Sequence, residues 1–171
     1  MSQLIKTNIK NFNIRFAEEN NASIILDFIK ALAKYEKRLS EVVATEADIK
    51  ESLFNKKIAE AIIGEYCGEP VCFAIFFHNF STFSGKPGIY IEDIFVNPEM
   101  RGKGFGTIIL EFIASLAVER NCGRIEWSVL RWNEPSIKFY EKIGATDKDE
   151  WVLYKLSGKN LTNLASSFEK D

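Results

Sequence analysis

The stretch Ile89-Tyr-Ile-Glu-Asp-Ile-Phe-Val-Asn-Pro-Glu-Met-Arg-Gly-Lys-Gly-Phe-Gly106 reads as a strand, a stop and a glycine loop. Residues 89–96 are rich in β-branched and aromatic side chains, and Asn97-Pro98 ends the run. The loop Arg101-Gly102-Lys103-Gly104-Phe105-Gly106 then opens an apolar helix from about Gly106 to Asn121. Glycines let successive backbone N–H groups turn into one concavity, and a helix N-terminus adds partial positive charge. Such a loop is a candidate pyrophosphate site, to which Arg101 and Lys103 add charge. A Walker loop is absent. A dinucleotide G-x-G-x-x-G fails as well, because its third glycine would fall on Thr107 or Ile109. Taken alone, the loop is equally consistent with a glycine-rich turn carrying solvated charges.

Working outward, Arg124–Leu130 reads as another strand, and Gly123 is placed to close the preceding helix in a left-handed conformation. Pro135 suits the first turn of a helix ending at Gly144, and a last strand is expected over about Glu150–Leu156. Towards the N-terminus, Phe12–Ala17 alternates like a strand. Ile25, Phe28, Ile29, Leu32 and Ala33 follow helical spacing, with Asn20 or Asn21 as cap. Thr45-x-x-Asp48 resembles a capping box for a helix to about Phe54. Ala59–Tyr66 and Val71–His78 form a hairpin across Cys67-Gly-Glu-Pro70, and residues 79–88 read as a loop. The order β-α-α-β-β-β-α-β-α-β predicts an α/β (α+β) domain with a mixed sheet and helices on its faces.

The 171 residues suit one domain, with a core over about 12–156 and a tail at 157–171. In the tail, Leu161, Leu164, Ala165 and Phe168 make an apolar stripe that is expected to dock on its own core or on a second subunit. With 22 basic and 24 acidic residues the net charge is -2, which argues against nucleic acid or an anionic membrane as partner. The apolar run Val71–Phe77 is too short to span a bilayer, and the first residues lack a secretory pattern. A soluble, cytoplasmic protein is expected. Cys67, Cys72 and Cys122 have no C-x-x-C spacing, and His78 is the only histidine. A disulfide framework, a multi-histidine metal site and a cysteine–histidine nucleophile are therefore disfavoured, leaving carboxylates, a tyrosine, backbone groups or a bound cofactor to carry chemistry.

Arg101-x-x-Gly104-x-Gly106 resembles the R/Q-x-x-G-x-G/A loop of the GNAT superfamily of acetyl-CoA-dependent N-acetyltransferases. Trp132-Asn-Glu-Pro-Ser-Ile-Lys-Phe-Tyr-Glu-Lys-Ile-Gly-Ala145 is similar to that family's N-x-x-[SA]-x-x-[FL]-Y-x-x-x-G-[FA] helix. Tyr90–Val96 and Ala31-Leu-Ala-Lys-Tyr-Glu36 resemble the diamine (spermidine/spermine-type) subgroup and its bacterial relatives. The resemblance implies a sheet splayed between the fourth and fifth strands, acetyl-CoA as cosubstrate, a small-molecule amine as acceptor, and a homodimer. It places acetyl-CoA against Ile94, Phe95 and Val96, the loop Arg101, Gly102, Lys103, Gly104, Phe105, Gly106 and Thr107, and Asn133, Glu134, Pro135 and Ser136. The acceptor falls to Tyr35, Glu36, Glu92, Asp93, Glu126, Trp127 and Ser128, and Tyr140 takes the family's general-acid position.

The residues support that picture on their own terms. Glu92 and Asp93 lie in an apolar strand whose adjacent side chains point to opposite faces, so at least one carboxylate meets the interior or a cleft. Glu92 is the favoured base, its pKa expected to rise by desolvation. The alternative is that both carboxylates meet solvent or Arg124 at a splayed or bulged strand. Tyr140 could equally be a core aromatic, although Phe139 suits that better. Lys37-Arg38 departs from the acidic continuation of the polyamine enzymes, which favours a diamine or a lysine-like amino acid over spermine. Two other readings stand beside this one: a CoA-binding sensor without turnover, and an enzyme acting on a protein lysine or N-terminus.

Overall fold

Sheet order follows chain order. In a computed structural model that describes residues 3–148 and 152–168, the strands are β1 (Ile5–Lys6), β2 (Phe12–Phe16), β3 (Glu60–Tyr66), β4 (Glu69–Ser81), β5 (Lys86–Val96) and β6 (Ile125–Trp127). They are neighbours in that order. Every junction is antiparallel except β5–β6, which is parallel. The helices are α1 (Ala22–Tyr35), α2 (Glu46–Ile49, continuing as a wider turn to Asn55), α3 (Phe105–Glu119), α4 (Glu134–Lys142) and α5 (Gly158–Ser166). The chain divides after Ser128 into two compact units.

The first unit holds the sheet, and strand alternation sends its side chains to two helical layers. Phe28 of α1 stacks on Phe73 at 5.1 Å, and Ile25, Ile75 and Phe95 fill the same layer. The alternate positions Cys72, Ala74 and Phe76 are buried on the other side. There Phe12 stacks on Phe105, the first residue of α3, with centroids 4.2 Å apart. A Cβ on Gly64 would lie 2.7 Å from the Phe12 ring, so glycine is what lets that ring seat. Each such buried Phe or Ile contributes roughly 1.5–3 kcal/mol relative to exposure.

The Thr45 box forms as expected: the Thr45 hydroxyl accepts from Asp48 N–H, and the Asp48 carboxylate accepts from Thr45 N–H at 2.8 Å. Asn21 caps α1 indirectly, because its side chain is turned to accept from Glu18 N–H and Arg15. Other expectations need correction. Residues 79–88 are not a loop: the β4–β5 ladder runs on through Asn79↔Gly88 to Ser81↔Lys86, leaving only the turn at residues 82–85. The α3 helix is closed by Asn121 rather than Gly123, with Asn121 left-handed at φ 54° and Cys122 N–H donating to the Ala117 carbonyl. The Gly123 N–H instead donates to the Pro87 carbonyl. The strand expected over 124–130 shrinks to β6, whose partner ladder stops at Ile91↔Trp127.

In the second unit, α4 starts beside Pro135, with the Asn133 side chain accepting from Ser136 N–H, and the chain turns at left-handed Gly144. Of the strand expected over 150–156, Glu150 and Trp151 lie outside the described residues, and residues 152–156 are exposed and not in a strand. The α5 stripe of Leu161, Leu164 and, just beyond the helix, Phe168 is exposed.

Candidate active site

Two left-handed glycines shape the loop after β5. Gly102 has φ 77° and Gly104 φ 84°, conformations that L side chains rarely adopt. Gly104 is the N-cap of α3, and Ile108 N–H is the first to bond back, to the Gly104 carbonyl. The N–H groups of Phe105, Gly106 and Thr107 thus lead the helix, where an anion is favoured. A Cβ at Gly102 would meet nothing within 4 Å, so open space lies beside the loop. Lys103 is exposed, its ammonium 5.4 Å from the Tyr66 ring.

The Arg101 side chain packs against two aromatic rings. Its guanidinium lies 4.3 Å from the Tyr35 ring centroid and 5.4 Å from that of Phe95, and its Nε donates to the Val96 carbonyl at 3.1 Å. Sequence reasoning missed this seat, since Tyr35 ends α1 far away in the chain and no local pattern signals the contact.

On the next stretch of β5 the register with β4 slips. Ile75 pairs with Asp93 and Phe76 with Ile91, so Glu92 is an extra, bulged residue. The β6 ladder has already ended at Ile91, and no strand among the described residues accompanies residues 92–96 on that side. The expected splay is therefore present, and it bares one edge of the segment carrying Ile94, Phe95 and Val96. The bulge also decides which carboxylate is desolvated. Glu92 is exposed, contrary to the expectation that burial acts on it, whereas Asp93 is half-buried. Burial, reinforced by the neighbouring charges of Glu92 and Glu36, pushes the Asp93 carboxyl up to about 6. Burial raises Glu36 too, opposed by Arg38. Arg38 itself is held by Glu41 through a bidentate pair at 2.8 and 2.6 Å.

Glu126 and Ser128 are engaged by other groups. Glu126 pairs with Arg124 at 2.6 Å and accepts from Asn79 at 2.8 Å, so Arg124 neutralises Glu126 rather than Glu92 or Asp93. Ser128 shares a 2.7 Å hydrogen bond with the Tyr90 hydroxyl. Trp127 pairs with Ile91 in the parallel ladder. In the second unit, Asn133 is buried as the cap of α4, Glu134 is exposed and within 3.8 Å of Lys138, Pro135 occupies the first turn, and Tyr140 is half-buried with its ring 5.4 Å from Phe139. No helix among the described residues is long and apolar enough to cross a membrane.

A bulged strand carrying two carboxylates, with one edge bared, leads directly into a glycine loop that opens the following helix. The acetyltransferase (GNAT) family profile matches residues 28–145. The thialysine N-epsilon-acetyltransferase of Bos taurus is 32% identical over 166 residues, covering 89% of this chain and 96% of that one. The L-ornithine N5-acetyltransferase of Arabidopsis thaliana is 46% identical over 89 residues, covering 52% of this chain and 39% of that one. An integron cassette protein from the mobile metagenome of V. cholerae has the same fold, with a TM-score of 0.77 at 24% identity over 92% of this chain and 99% of its own. The chain belongs to the GNAT acetyltransferase family. It is an N-acetyltransferase, of a family that uses acetyl-CoA as cosubstrate.

Proposed function

We propose that this enzyme acetylates the primary amine of a small aliphatic acceptor, a diamine or a lysine- or ornithine-like amino acid, by direct attack in a ternary complex. The observation that carries the reading is Asp93: a half-buried carboxylate raised to about 6, beside Glu36 and the bulged Glu92, on the bared part of β5. The names of the bovine and Arabidopsis relatives support the acceptor class. The family match runs from residue 28 to 145, across both units, which supports one acetyltransferase domain with a tail.

Acetyl-CoA supplies the thioester, and the loop fits its pyrophosphate: leading N–H groups at Phe105–Thr107, space beside Gly102, and the Lys103 charge. By resemblance Asn133–Ser136 complete this site. Backbone groups of Ile94 and Val96, on the bared edge, serve the pantetheine amides and the developing oxyanion. The acceptor arrives as an ammonium with a pKa of about 10, so it must lose a proton before nitrogen attacks. Glu36 and Glu92 attract the cation, and Asp93, ionised above about pH 6, takes the proton. Tyr140 returns a proton to the departing thiolate. Cys72, paired opposite Val96, is buried and its thiol is pushed up to about 12, so we assign no acetyl-enzyme.

Location in the cytoplasm and a homodimer belong to the same reading. The three cysteines are all unpaired, which supports a reducing compartment, and the exposed Leu161, Leu164 and Phe168 stripe supports a second subunit, which light scattering on a chain ended after Leu156 tests. The deciding experiment is thiol release from acetyl-CoA across ornithine, lysine, spermidine and lysine-containing peptides. Fastest release with the short amino acids or diamines is expected. Release with peptides alone, or with none of them, overturns the proposal.

A further inference from the structure

Arg101 carries a charge that a pyrophosphate loop invites one to assign directly to phosphate. Its surroundings describe another task. The chain leaves β5 at Val96, makes one tight turn over Pro98–Met100, and is extended at Arg101 before the left-handed Gly102. From there the side chain runs back along its own turn, and Nε donates to the Val96 carbonyl five residues earlier. Its guanidinium sits on the wall made by Tyr35 and Phe95, whose rings are themselves 6.4 Å apart. One side chain therefore joins three things: the end of β5, the last residue of α1 and the first residue of the glycine loop.

We infer that Arg101 is a positioning residue that sets the direction in which the glycine loop leaves β5, and that Tyr35, on the acceptor side, thereby governs affinity for the CoA moiety. A planar cation over a ring is held by the ring's quadrupole, and the bond to Val96 fixes its rotation. Lysine has neither the plane nor the Nε donor, so charge alone does not replace it. The loop's two left-handed glycines leave its exit angle soft, which is why an external brace matters. The inference rests on the reading that this loop receives the pyrophosphate of acetyl-CoA.

The test is calorimetric binding of CoA, without acceptor, to the full chain and to Arg101→Lys, Arg101→Ala, Tyr35→Phe, Tyr35→Leu and the double variant Arg101→Lys/Tyr35→Leu. Tyr35→Leu and Arg101→Lys are each expected to weaken CoA by about three- to tenfold, the range a cation–ring contact supplies. Tyr35→Phe keeps the ring and stays within about twofold of the starting protein. The double variant is no worse than the poorer single one, because both changes remove one brace. Should Tyr35→Leu fail to fold by circular dichroism, the arginine pair decides: Lys as damaging as Ala supports positioning, whereas Lys retaining affinity at low salt marks a direct phosphate ligand and overturns it. Unchanged CoA affinity in folded Tyr35→Leu, or multiplying effects in the double variant, also overturns the inference while leaving the loop's assignment standing. A starting protein that binds no CoA overturns both.

Discussion

The two halves of β5 are built from similar residues and do different work. Over Lys86–Ile91 the strand is laddered to β4, and its last three residues are laddered on the other side to β6; Ile89 and Ile91 are buried there. Over Glu92–Val96 it keeps only β4, slips one residue, and presents two carboxylates and a bared edge. Pairing on both sides consumes the backbone's hydrogen-bonding groups of Ile89–Ile91, whereas Glu92–Val96, apart from the Val96 carbonyl held by Arg101, has groups to offer a bound molecule. The difference teaches that the site arises where β6 stops, more than from any one side chain.

The strongest way to break this division is Asp93→Asn. On the proposed mechanism it removes the base and lowers kcat by about a hundredfold or more, read by thiol release at saturating acceptor. The same change should stabilise the fold at neutral pH. Asp93 ionises only near 6 in the fold but near 3.8 when unfolded, so between those values the folded chain binds more protons. Stability therefore falls as pH rises from about 4 to 6, and the deficit persists above that window. It is on the order of 3 kcal/mol for a shift of this size. Denaturant melts should show a steeper slope in the parent than in Asp93→Asn, where the raised Glu36 still contributes, while the parent's kcat/KM rises through pH 6.

In the doubly paired half the effect should reverse. Ile91→Ala empties a fully buried position and is expected to cost about 2–5 kcal/mol of stability, with CoA affinity by calorimetry little changed in the folded fraction. Tyr140→Phe sharpens the functional side: kcat drops about tenfold or more while CoA binding is nearly intact. If CoA binding or folding is lost instead, the tyrosine is a packing group. Gly104→Ala places a side chain at φ 84° with its Cβ 3.3 Å from Ile9 Cδ1. It should cost about 1–2 kcal/mol and weaken CoA in parallel. The smallest effect is reserved for Glu126→Gln. Its carboxylate is already spent on Arg124 and Asn79, and the partly exposed pair is worth less than about 1 kcal/mol by thermal melting.

The contrast between these halves was only partly legible beforehand. Local chemistry was readable: the Thr45–Asp48 box, the hairpin at 59–78, the glycine loop ahead of a helix, and the carboxylates stranded among apolar residues. What was not readable depends on pairing with distant chain. Whether burial falls on Glu92 or Asp93 is set by a slip against Ile75 and Phe76, and the reach of β6 is set by where its ladder to β5 ends. Residues 79–88 resemble a loop because Gly85 and Gly88 look like turn residues, yet Gly88 packs under Asn79 within the ladder. The Arg124 partner of Glu126 was not readable either, and Asn121 did the capping that a nearby glycine advertised.

Gly64 draws these threads to a place far from any reacting atom. Its missing methyl leaves room for the Phe12 ring, which stacks on Phe105, and Phe105 is the first residue of α3. An alanine there would meet the Cys72 sulfur and the Phe12 ring together, and through that ring would push on Phe105 and the loop's leading N–H groups. On the proposed function, a substitution at position 64 reaches donor recognition as well as packing. A change in how well the enzyme holds its acetyl carrier could be inherited through a residue that never meets it.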